Sequence, residues 1–203
     1  MKRLILFCFV LFCFTVKSKA QNLIPNPSFE LNNGCTYAIL SNAQEWCSVG
    51  NNCSYLYACI TNTSYSTPFQ YFNSCKQSFQ MPKTDGSYVV LRGYITTSTV
   101  TPNRYAQVKL IDTLKANKIY CVSFYLSLFN YSQYSTDQLG AVLTPTPFPC
   151  LPPATAPNYT ITGATPQIVS PAGVQLDDTL NWMEVSATYT ANGTEAYITI
   201  GDF

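Results

Sequence analysis

The sequence predicts an all-β protein, a sandwich or barrel of short strands. Apolar residues recur with period two in several stretches, which is the mark of a strand with one buried side. Tyr and Thr are plentiful while charged residues make up only 10% of the chain, a composition suited to strands and polar turns. No convincing amphipathic helix pattern occurs after residue 20, although a short helix within 35–60 stays open. Many short strands without helices imply two packed sheets or one closed sheet.

The elements follow in chain order. Lys2 and Arg3 precede an apolar run, Leu4 to Val16, that is too short to span a bilayer comfortably. Ser18-Lys19-Ala20 then supplies small residues for cleavage, so residues 1–20 read as a signal peptide and 21–203 as one β-sandwich domain. The chain stops at Phe203 directly after its last strand pattern, which reads as the N-terminal part of a longer protein. "QNLIPNPSFELNNG" (21–34) opens the mature chain, and its two Pro fit an edge strand, where missing donors do no harm.

Seven Cys remain after cleavage: 35, 47, 53, 59, 75, 121 and 150. Export means an oxidising compartment, hence disulfides. A bridge between Cys35 and Cys75 would close the irregular segment between the first strand and the later strand patterning. Cys121, in mid-strand, is the candidate for the unpaired thiol.

Strand patterning begins at "SYVVLRGYI" (87–95), with Val89, Leu91 and Ile95 opposite Tyr88, Arg92 and Tyr94. In "RYAQVKLID", Ala106, Val108 and Leu110 oppose Tyr105, Gln107 and Lys109. In "KIYCVSFYLSL", Tyr120, Val122, Phe124, Leu126 and Leu128 share one face, while Cys121, Ser123, Tyr125 and Ser127 share the other. More than half of the thirteen Pro fall in 144–173, which predicts an irregular surface excursion. "WMEVSATYTA" and "EAYITIGDF" then alternate on either side of Asn192-Gly193, a hairpin turn signal.

Composition narrows the function. The net charge is +1 and no basic stripe is present, so no nucleic-acid partner is expected. His is absent, which removes Ser-His and Cys-His catalytic pairs and the commonest transition-metal ligand. Catalysis would need paired carboxylates. The only adjacent pair, Asp177-Asp178, sits in a turn and reads as a solvated loop. The expectation is therefore a protein that is not an enzyme.

"NLIPNPSFE", Trp46, "YFNSC" (71–75), "YAQVKLIDTLKANKIYCVSFYLSL" and "LNWMEVSATYTANGTEAYITIGDF" together resemble N-terminal modules of secreted surface proteins from Bacteroidetes-type bacteria. The likeness covers nearly all of the mature chain apart from 47–67 and the Pro-rich excursion. At longer range the same motifs are similar to families four and nine of the carbohydrate-binding modules. Asn22, Leu23, Asn26, Phe29 and Glu30 match their first strand, Trp182 the start of the penultimate strand and Asp202 the last. Pro27 departs from the usual Gly.

The resemblance implies a galactose-binding-like jelly-roll β-sandwich. It also implies a structural Ca²⁺ joining the first and last strands through Glu30 and Asp202, with carboxylate and carbonyl oxygens as ligands.

The expected function is a non-catalytic secreted or cell-surface module, or one associated with the outer membrane, that binds a glycan or envelope polysaccharide. It does so without inserting in the membrane after signal cleavage. Arg92, Tyr94, Tyr105 and Tyr125, on non-core faces of three strands, are the candidate carbohydrate-binding residues. Rings stack on sugar C–H faces, and a guanidinium donates to hydroxyls. The alternative is a structural or adhesion domain that presents a C-terminal envelope anchor and has no small ligand.

Overall fold

The computed structural model describes residues 21–31, 38–40, 43–49, 55–57, 70–73, 76–84, 86–91, 104–130, 132–137, 139–150 and 161–203. Residues 1–20, expected to be a signal peptide, lie outside the described residues, as do Cys35, Cys75, Arg92 and Tyr94.

Twelve strands are described. They are β1 (Ala38–Ile39), β2 (Trp46–Val49), β3 (Tyr55–Tyr57), β4 (Gln70–Asn73), β5 (Lys76–Phe79), β6 (Tyr88–Val90), β7 (Tyr105–Lys109), β8 (Ile119–Leu126), β9 (Leu139–Thr144), β10 (Ile168–Val169), β11 (Met183–Thr190) and β12 (Tyr197–Asp202). The protein is all-β, as its alternation predicts, and every described pairing is antiparallel. Among the described residues no helix is long and apolar enough to cross a membrane.

The central sheet has the order β10-β9-β12-β7-β2. β8 and β11 pair along their full eight-residue length, with Glu184 opposite Tyr125 and Thr188 opposite Cys121. Ala106, Val108, Ala141, Leu143, Ile168 and Ile198 on the inner face of the central sheet form the main core with Val185 of β11. Tyr120, Val122, Phe124 and Leu126 of β8 pack against it. These are the positions that period two assigns inward, so both long strands behave as predicted.

The Asn192-Gly193 turn departs from expectation. It does not close a hairpin, because β11 pairs with β8 whereas β12 lies between β7 and β9. It is a crossover between two layers. Gly193 takes φ 94, and the buried Glu195 carboxylate collects the backbone N–H groups of Asn192, Gly193 and Thr194 at 2.8, 3.0 and 3.1 Å. A local turn signal reports the bend and not which strand receives the chain.

The opening stretch also departs from it. Residues 21–31 form bends and turns, not an edge strand. Asn26 and Phe29 have φ 47 and 63, outside the strand region. Asn26 is the organising residue. Its Nδ2 donates to the carbonyls of Leu31 (2.8 Å) and Gln44 (3.1 Å), and its Oδ1 accepts from Leu31 N (2.9 Å). Its own carbonyl accepts the Trp46 indole N–H at 2.9 Å. Asn tolerates positive φ and bonds its own backbone neighbourhood, which explains the Asn-Pro-rich composition. Phe29 packs on Trp46 with ring centroids 4.8 Å apart, at the margin of the core.

The outer face of the central sheet is not open. Phe148, Ile161 and Ala164, from the Pro-rich excursion, cover Val49 and Tyr105 in a second small core that Phe203 completes. Gln107 fastens this cover. Its Nε2 donates to Phe148 O (3.0 Å), while its Oε1 accepts from Phe148 N (2.8 Å) and Thr199 Oγ1 (3.0 Å). A disulfide joins Cys47 of β2 to Cys150 at the end of the cover, with Cα atoms 5.8 Å apart.

Candidate functional site

Two of the four predicted sugar-contacting residues are described, and the fold separates them. Tyr105 is 0% exposed. Its ring lies against Phe203 at 5.1 Å between centroids, and its hydroxyl accepts from Ile161 N at 3.3 Å. The assignment of Tyr105 to an open sugar-binding face is therefore corrected. Alternation places it opposite the main core, as predicted, but the excursion buries that side too. Consecutive strands β7 and β8 also belong to different sheets, so Tyr105 and Tyr125 do not share a face.

Tyr125 does point outward from β8 and is 40% exposed. Ser123 and Cys121 precede it on the same exposed face, and Glu184, Ser186 and Thr188 of β11 lie across from them. Cys121 carries a free, exposed thiol. The Lys83 ammonium sits 4.6 Å from the centroid of the Tyr125 ring, a cation–π contact.

Lys83 also belongs to a cleft of about 450 Å³ next to this face. One wall is Gln80, Met81, Pro82 and Lys83, which follow β5. The other is Thr179, Leu180, Asn181 and Trp182, which precede β11. Trp182 ties the walls together, its Nε1 donating to Met81 O at 2.8 Å and its ring meeting Tyr88 edge-on at 5.9 Å. Asp178 shapes the second wall. Its Oδ1 accepts from the N–H groups of Leu180 and Asn181, both at 2.8 Å, and its Oδ2 accepts from Asn181 Nδ2 at 3.0 Å. The Asn181 backbone and side-chain bonds and the Leu180 bond hold its carboxyl below the usual carboxylate range. Asp178 is thus turn scaffolding, and Asp177 lies beside it in the same loop. Leu180 and Met81 remain 78% and 50% exposed at the cleft mouth.

This cleft joins residues about a hundred positions apart in sequence, and neither wall has periodicity. Trp182 was legible only as a motif residue, and Met81, Lys83 and Leu180 carried no signal at all.

Glu30 and Asp202 are placed by different elements. Glu30 Oε1 accepts from Gly86 N at 2.9 Å. The opening stretch is anchored beside Trp46, which pairs with Val108 at one end of β7. Asp202 pairs with Leu139 and lies beyond Ile200, the partner of Ala106, towards the other end. Burial raises the Asp202 carboxyl above its ordinary range, and the charge of Asp137 adds to this. Residues 21–31 form no strand that could carry one end of a site held between first and last strands. Among the described residues no group of three or more His, Cys, Asp or Glu side chains is placed to hold a metal.

No family model, no curated protein and no solved structure matches this chain.

Proposed function

We propose that the chain is a non-catalytic, exported module that binds carbohydrate at a cell surface, built as a jelly-roll sandwich of the galactose-binding-like kind. The observation that carries the reading is the cleft between residues 80–83 and 179–182, which opens beside Tyr125. Its volume falls within the range of small-ligand sites. Met81, Leu180 and Trp182 offer apolar surface for sugar C–H faces, and Lys83, Asn181 and Gln80 offer polar groups for hydroxyls. The jelly-roll form is supported by connectivity. β7 to β8 and β11 to β12 cross between layers, and β12 inserts between two strands distant in sequence.

The test is a glycan array probed with wild type and with Tyr125→Ala and Leu180→Ser. Wild type is expected to bind at least one glycan class, and each variant to weaken it by about 1–3 kcal/mol, the usual cost of truncating an anchor. If wild type binds no glycan, the surface passes to the structural-adhesion reading.

A further inference from the structure

Among the described residues Lys83 is the only cation lining this cleft, and no described carboxylate neutralises it. Its ammonium rests over the Tyr125 ring at 4.6 Å, and no carboxylate among the described residues lies within ion-pair distance of it. Two described acids close to the cleft are otherwise placed. Asp178 spends its oxygens on Leu180 and Asn181. Glu184, the cross-strand partner of Tyr125, is exposed on the same sheet face and makes no ion pair with Lys83.

This arrangement discriminates among sugars. The ammonium occupies one face of the Tyr125 ring, so a neutral sugar stacking there would have to displace it. A sugar bearing an acidic group would instead use the ammonium as a charge-assisted donor and leave the cation–π contact intact. Exposed Met81 and Leu180 then lie within the same cleft for the sugar's C–H surface. We infer that the cleft takes an anionic sugar residue, a uronate or a sulfated sugar, with its acidic group at Lys83 Nζ. The inference rests on the glycan-binding reading and narrows it.

The experiment measures binding of the full chain to three soluble polymers by calorimetry and affinity electrophoresis. Polygalacturonate supplies carboxylates, dextran sulfate supplies sulfate esters, and dextran is neutral. At least one acidic polymer is expected to bind about tenfold tighter than dextran, and the stronger of the two identifies the acidic group. Lys83→Gln should lose about tenfold of that affinity, the scale of one charge-assisted hydrogen bond, and Lys83→Arg should retain most of it. Glu184→Gln should bind the acidic polymer more tightly, because it removes a like charge from the same face.

Dextran bound as tightly as the acidic polymers would overturn the inference and leave the glycan reading standing. So would an unchanged affinity in Lys83→Gln. An equal loss in Lys118→Gln, on the connector remote from the cleft in sequence, would reduce the effect to diffuse charge attraction and also overturn it. Failure of all three polymers and of the glycan array together would overturn the glycan reading itself.

Discussion

Four hydrogen bonds converge on the Glu195 carboxylate, which is only 2% exposed. Tyr189 Oη donates at 2.6 Å, and three consecutive backbone N–H groups complete the set. Burial alone would raise the carboxyl's pKa. The bonds from Tyr189, Asn192 and Thr194 outweigh it and hold the group at about 2. The same contact, with burial the larger cause, pushes the Tyr189 hydroxyl up to about 12. The folded value lies below the ordinary 4.5, so the carboxylate stabilises the fold fully above pH 4.5 and loses that contribution as pH falls through 2. A displacement of this size corresponds to at most about 3 kcal/mol. Glu195→Gln should therefore lose about 2–3 kcal/mol near pH 7, because an amide cannot accept at both positions. The gap from wild type should shrink towards pH 2. Urea titrations at both pH values measure this, and a pH-independent gap would count against the ionised carboxylate as its cause.

The long strands were legible because one side of each meets a single continuous core. In β8 and β11 the period-two pattern has one physical cause, and inward and outward positions follow directly. β7 was legible only by half. Its pattern divides Ala106 and Val108 from Tyr105 and Gln107, but all four are buried. Tyr on a strand looks the same to sequence whether solvent or a Pro-rich segment lies over it. What covers Tyr105 is decided by Gln107, whose side-chain amide pairs with the Phe148 backbone much as a neighbouring strand would.

Partner choice is equally hidden at Asn192-Gly193, where the dipeptide marks a bend at Gly193 but no hairpin forms. The cleft was illegible because contacts between distant loops leave no periodic trace. The fit of β7 against β12 can be tested at Gly201. A Cβ built there would collide with Tyr105 Cδ1 and lie 3.0 Å from its Cε1, and this ring is packed between Phe203 and the cover. Gly201→Ala is expected to destabilise by at least about 1–3 kcal/mol, the cost of overpacking a fixed core. Thermal unfolding checks it, and an unchanged Tm would mean that the Tyr105 ring is free to move.

The central sheet is covered on both faces by different means. β8 and β11 close one side with a broad apolar layer. The other side is closed by Phe148, Ile161 and Ala164, and among the described residues Cys150 meets Val49 through an isolated bridge. The described part of this cover is held by the Gln107 side chain and by the Cys47–Cys150 bond, which links positions 103 apart. In the chain-entropy account a loop of that size is worth up to about 4–5 kcal/mol through restriction of the unfolded chain.

The pairing was not deducible from seven Cys, because spacing alone leaves many connectivities open. It nevertheless constrains the remainder. With Cys47 and Cys150 joined and Cys121 free, the partners open to Cys35 are Cys53, Cys59 and Cys75. Non-reducing peptide mapping should recover a Cys47–Cys150 linked peptide, and a thiol reagent should label Cys121 in the folded protein.

The double variant Cys47→Ala/Cys150→Ala should lose about 2–4 kcal/mol. Its Tyr and Trp environments should respond unequally. Tyr105, beneath the loosened cover, should gain solvent access, while Trp46 and Trp182, on the far side of the sheet and at the cleft, should keep their native signals. Recovery of Cys47 linked to Cys53 or Cys59 would refute the pairing. Loss of all three aromatic signatures together would show that the bond supports the whole sandwich and not the cover alone.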